Sequence, residues 1–440
     1  MHITDAAVAG GVLRTFDEAE GPRNAPGRQR GKRACLLAFS RIADDPRVRR
    51  QGDAFHRAGC AVTAIGLPGS LSPPPLWRVL TIGKSAVRKA DTSGSLLARW
   101  RESQRLFRRK AGTLLRHQWI RFDDDYIDRL YSSIEGVAAM RAAIRALKAD
   151  IWLANDWVTL PLAVEAAEAR GGIVGYDTHE LAVSECEQSF KWRLMRQPLV
   201  RAIERRYIRR AQVVSSVSPG IGEFLMQLYN LPDRPLTLRN VPDYREISFR
   251  PCGATVRVLY HGLVAPGRGL EEAVDSVPAW RPELSLTIRG PGDSGFVAAL
   301  DARARRAKIE GRVTIEPPVP MTELVDRAAA FDIGLFALPD HSRQNRLALP
   351  NKLFEYIMAG LALCVSDLPE MARIVERYKV GKCLPSIEPA AIAAAMNGFT
   401  RSAIDTFKRR SLEAARELCW AQESSTMLVA YDSALGAARH

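Results

Sequence analysis

Lys352 and Glu355 stand together in the stretch Leu349-Pro-Asn-Lys-Leu-Phe-Glu-Tyr-Ile-Met-Ala-Gly-Leu-Ala-Leu-Cys-Val-Ser-Asp-Leu-Pro369. Pro350 suits the first position of a helix, and Leu353, Phe354, Ile357 and Met358 share one face at helical spacing. A helix N-terminus offers backbone N–H groups and a positive dipole end, so Asn351 and Lys352 there form a phosphate site. A carboxylate one turn in, Glu355, could accept from two adjacent hydroxyls, as on a ribose. The same spacing also suits an amphipathic helix with a surface Lys–Glu pair, and the residues alone leave both readings open. A second anion candidate is the Gly-rich run His261-Gly-Leu-Val-Ala-Pro-Gly-Arg-Gly269. Gly262 permits close approach of the backbone, and Arg268 can pair with a diphosphate. A third set, Asn155-Asp156-Trp157 and Asp177-Thr-His179-Glu180, closes two apolar runs. His179 there is either a functional group or a satisfied structural histidine.

These residues require strands and helices to hold them. Strands are predicted at 34–39, 60–65, 151–154, 172–176 and 212–218, then at 255–260, 284–289, 313–316, 331–336 and 361–365. Helices are predicted at 47–58, 134–149, 219–229 and 351–359, with a helical tail over 389–396, 404–418 and 420–435. Alternation of this kind gives an α/β chain with parallel sheets, whose ligands bind beyond the carboxyl ends of the strands. Asn155, Asp156, His179 and Gly262 fall at such ends. The loop 337–349 carries Arg343 and Arg346, either of which could reach phosphate or sugar.

The chain has 440 residues, enough for two domains. Polar residues with Pro and Gly over 241–254 read as a linker between a first domain at 34–240 and a second at 255–400, with terminal helices over 401–440. Residues 1–33 read as a disordered basic tail. Asp123-Asp-Asp125 reads as a solvated helix cap rather than a metal motif. The formal net charge is +14, which points to acidic partners. Basic residues concentrate at 84–116, within an expected helical insert over about 68–133, and at 191–210, which reads as a single basic helix. Interleaved with Leu, Phe and Trp, they fit either an anionic membrane surface or a helix with a solvated basic face. No nucleic-acid motif accompanies them. Seven scattered cysteines with no Cys-x-x-Cys pair, no spanning apolar run and no signal core suggest a reduced, cytoplasmic protein.

Pro-Asn-Lys-Leu-Phe-Glu-Tyr followed by Ala-Gly and an apolar strand, together with Asp-Thr-His-Glu after a strand, resembles the retaining GT-B glycosyltransferases (glycosyltransferase group 1, family 4-like). The segment Asp44-Asp-Pro-Arg-Val48 resembles the start of that family's first domain. The resemblance implies two Rossmann-like domains whose parallel sheets face across a cleft. It implies sugar transfer from a nucleotide-diphosphate sugar, with retention, to a saccharide or lipid-linked acceptor, without metal or other cofactor. It places Glu355 on the donor ribose, Gly262, Arg268, Asn351 and Lys352 on the diphosphate, and His179 on sugar or acceptor. Arg47, Asn155, Asp156, Glu180, Arg343 and Arg346 would line the cleft. The family's motif has a second Glu, eight positions before Glu355, where this chain has Leu347. Two alternatives remain: a nucleotide-sugar epimerase of the same fold, and a degenerate subunit that binds a partner. The expected location is cytoplasmic, peripheral on the inner membrane face.

Overall fold

The computed structural model describes residues 30–70, 72–83 and 124–438. Of the tail expected at 1–33, residues 1–29 lie outside the described residues, as does the basic run at 84–116, while Arg33 already belongs to the first strand. The described chain forms two α/β units. One comprises the described residues up to Ser215, Met226–Pro235 and those from Leu428 on; the other comprises Ser216–Leu225 and Leu236–Met427.

The first sheet is built from β1 (Arg33–Leu37), β2 (Ala61–Gly66), β3 (Arg78–Thr81), β4 (Ile151–Asn155), β5 (Ile173–Thr178), β6 (Val213–Ser216) and β7 (Leu236–Thr237). Their order is β3-β2-β1-β4-β5-β6-β7, and β1 to β5 pair in parallel. The inner strands are apolar on both faces, as β4 with its fully buried Ile-Trp-Leu-Ala-Asn shows, because helices cover each side. The second sheet contains β8 (Val256–His261), β9 (Leu284–Arg289), β10 (Val313–Glu316), β11 (Ile333–Phe336), β12 (Ala362–Ser366) and β13 (Gly381–Leu384). Its order is β10-β9-β8-β11-β12-β13, again parallel. Both orders reverse direction once, between β1 and β4 and between β8 and β11. In a doubly wound sheet the loops part at that point and leave room for a ligand.

Several expectations need correction. Residues 68–133 are not wholly an insert. Arg78–Thr81 is an edge strand, anchored by buried Trp77, whose Nε1 donates to Asp53 Oδ1 at 2.8 Å. Asp124–Ser132 is a helix with Asp124 and Asp125 in its first turn. The basic segment 191–210 is two helices, Phe190–Met195 and Gln197–Tyr207, with Pro198 opening the second. The loop 337–349 contains a short helix, Arg343–Leu347, capped by Ser342. Residues 241–254 hold no helix or strand, yet they are fastened within the second unit. Arg245 pairs with Asp326, Arg250 with Asp332, and the Cys252 N–H donates to Asp405.

Candidate functional site

In the second unit, predicted donor residues come together beyond the ends of the paired strands β8 and β11. The helix Asn351–Met358 starts after Pro350 and buries Leu353, Phe354, Tyr356, Ile357 and Met358. Its N-cap, Pro350, has no side-chain acceptor for the first-turn N–H groups, which leaves them to serve an anion. Lys352 projects from that turn across the sheet. Its Nζ lies 4.4 Å from the Tyr260 ring centre at the end of β8 and 4.1 Å from that of Phe336 at the end of β11, and donates to the Tyr260 hydroxyl at 3.2 Å. Burial, reinforced by the nearby Arg268 charge and partly offset by Glu355, pushes the Lys352 amine down to about 7. An amine held near the Arg268 charge suits an incoming polyanion better than it suits that neighbour.

Gly262 is needed here. Its φ is +126°, and a β-carbon would stand 3.0 Å from Lys352 Nζ. Glu355, one turn into the helix, faces His261. The imidazole Nε2 is 2.8 Å from Glu355 Oε2, with His261 2% and Glu355 12% exposed. The His261 ring stacks on Tyr356 at 4.8 Å, and the His261 N–H donates to the Tyr356 hydroxyl at 3.0 Å. His261, Tyr260 and Phe336 were not singled out from the sequence. Their signal was position alone: Tyr260 and His261 are the last two residues of β8 and Phe336 is the last of β11, the strands flanking the switch point.

In the first unit, β4 and β5 end side by side, with Asn155 in register with Asp177. Asp177 is the hub. It accepts from Arg47 Nε at 2.5 Å and Nη2 at 2.7 Å, from Gln51 Nε2 at 2.7 Å and from Ser215 Oγ at 2.5 Å. Burial opposes its charge, but Arg47 and His179 overcome that and hold it far below the usual carboxylate range. His179 Nε2 lies 2.9 Å from Asn155 Oδ1 and 3.4 Å from Asp177 Oδ2, and Nδ1 lies 3.7 Å from Asp156 Oδ2. Burial disfavours the imidazolium, yet Asp156 and Asp177 raise its pKa to about 9. At neutral pH His179 is therefore a cationic donor, not a base. Asn155 Nδ2 is buried without a partner among the described residues.

The expectation that Arg47 lines a cleft does not fit: it is 2% exposed, and its guanidinium grips Asp177 from inside the fold. Glu180 is exposed, and its carbonyl accepts from the Thr178 hydroxyl. Arg343 lies over the Phe224 ring, and Arg346 pairs with Asp340 at 2.6 Å.

No family model and no curated protein matches the sequence. Solved structures do match in three dimensions. Sucrose-phosphate synthase from Thermosynechococcus elongatus superposes with a TM-score of 0.68 at 14% identity, over 92% of this chain and 100% of that one. HepE from Anabaena, solved in complex with UDP-glucose, gives 0.62 at 12% identity over 90% and 98%. A UDP-forming α,α-trehalose-phosphate synthase from Burkholderia vietnamiensis gives 0.60 at 12% over 92% and 100%. At such identities the likeness is one of architecture: the chain has the GT-B fold.

Proposed function

We propose that the protein is a glycosyltransferase that takes a sugar from a nucleotide-diphosphate donor. The observation that carries this reading is the meeting of Gly262, Lys352 and Glu355 at the switch point of the second sheet, with the Arg268 charge nearby. That a neighbour of this fold was solved with UDP-glucose supports it. As the glycosidic bond breaks, negative charge builds on the leaving diphosphate. Lys352, Arg268 and the open helix end at Asn351 would neutralise it, and groups already in place do so without reorganisation. Glu355 fixes the ribose. To Asn155, Asp156 and cationic His179 of the first unit we assign, separately, hydrogen bonds to sugar or acceptor hydroxyls. We assign transfer with retention, to a saccharide or a lipid-linked saccharide.

Incubation with UDP-, GDP- and ADP-sugars, with and without lipid-linked acceptors, tests the reaction. Product is expected with one donor, and Lys352→Met is expected to slow it by about 10²-fold or more. Absence of sugar loss from every donor would favour the degenerate-subunit alternative. The lipid-linked acceptor rests on a separate feature. Phe190 is 71% exposed beside Lys191, Arg193 and Arg196, on a short helix that buries no residue. An anionic bilayer suits this mixture. Vesicles containing anionic lipid should float the protein at low salt, and Phe190→Glu should weaken that; equal flotation of both would remove this helix from the argument.

A further inference from the structure

His261 is a buried histidine with unsettled hydrogen bonding. It is 2% exposed, its Nε2 is at ion-pair distance from Glu355 Oε2, and yet neither ring nitrogen has an aligned hydrogen-bond partner among the described residues. Leaving buried polar atoms unsatisfied is costly, and a purely structural pair has every reason to align. Hydrogen bonds that serve a ligand commonly tighten only when it arrives. The ring cannot swing away, because it stacks on Tyr356 and its own backbone N–H is tied to the Tyr356 hydroxyl. Tyr356 sits on the same helix as Glu355, one residue on, so strand end and helix are locked as a unit around this one contact.

We propose that His261 is the positioning residue for Glu355, setting the carboxylate to receive a ribose; this rests on the nucleotide reading above. The imidazole beside Oε2 restricts how the carboxylate can turn, and that restriction is what presents it to a diol. Each carboxylate oxygen accepts two hydrogen bonds, so Oε2 can serve both His261 and a hydroxyl. The contact also compensates a carboxylate that is almost wholly withdrawn from water. The consequence is selectivity: the protein should distinguish ribonucleotides from their deoxy forms through a residue that never touches the ribose.

The test compares binding of UDP, GDP and ADP with their 2′-deoxy and 3′-deoxy forms, by calorimetry, from pH 6 to 8. Wild type should prefer the ribose form by about 10–100-fold, the worth of hydrogen bonds to a charged group. His261→Phe keeps the stack on Tyr356 and removes both ring nitrogens. It should bring that preference down to about threefold or less, with a smaller loss of affinity for the deoxy forms, which keep only one of the two hydroxyls. His261→Gln, which retains a donor and carries the comparison if the Phe variant does not fold, should restore part of the preference. Full preference in His261→Phe, or an equal loss for ribose and deoxy forms, would overturn the proposal. Wild type that binds no nucleotide would instead sink the nucleotide reading itself, and this inference with it.

Discussion

Lys352 is the residue whose state reports most directly on the site. Its amine, between the Tyr260 and Phe336 rings and near Arg268, is only half-charged near pH 7. A diphosphate beside it would favour the charged form, so binding draws in a proton. Below pH 7 the amine is already charged and this coupling vanishes; above pH 7 each uptake works against the solution. The affinity of wild type relative to Lys352→Met, for the same nucleoside diphosphate, should therefore fall as pH rises above 7, by up to about tenfold per unit. The ratio cancels the ionisation of the phosphate itself. Calorimetry in buffers of different ionisation enthalpy should show net proton uptake in wild type alone, and a flat ratio would put the amine outside the binding site. His179 contrasts with this. Two carboxylates hold it charged through neutral pH, so it donates rather than titrates.

At the scale of elements, the glycines between strand and helix decide how near an anion can come. The Gly262 backbone at φ +126° disfavours any β-carbon, and one placed there would press on the Lys352 amine. Gly262→Ala should weaken nucleotide affinity by about tenfold or more, given about 1–3 kcal/mol for such strain. Gly253→Ala, at a position with open space around it, is the control and should change nothing. Affinity unchanged by Gly262→Ala would mean that the loop does not approach the ligand. The elements around this glycine were legible because their signals are local: Pro350 opens the helix, Gly360 ends it and an unbroken apolar run makes β12. Those that misled were set by tertiary context. Strand β3 is only four residues long, follows Pro73-Pro-Pro75 and shows no clean alternation, so nothing marked it before its pairing with β2. The break at Arg196 was readable from Pro198, but the continuous basic pattern across it masked the boundary.

At the scale of the molecule, both sheets repeat one strand order, and the residues expected to bind fall near each reversal. The sequence carried the strand ends, and with them Asn155, His179, Gly262 and the Lys352–Glu355 helix. It did not carry the partners. Arg47 reaches Asp177 across 130 positions, and His261 meets Glu355 across 94, so neither pairing leaves a short-range trace. A pair of this kind becomes visible only when strand ends from distant parts of the chain are brought to one edge. The most direct test of the account is calorimetric titration of UDP, GDP, ADP and their sugars into wild type and Glu355→Ala. The account predicts that one nucleotide binds wild type and that the variant loses about tenfold or more of that affinity, while keeping its folded circular-dichroism spectrum. Equal binding to both proteins, or to neither, would contradict the assignment of the second sheet's switch point as the donor site.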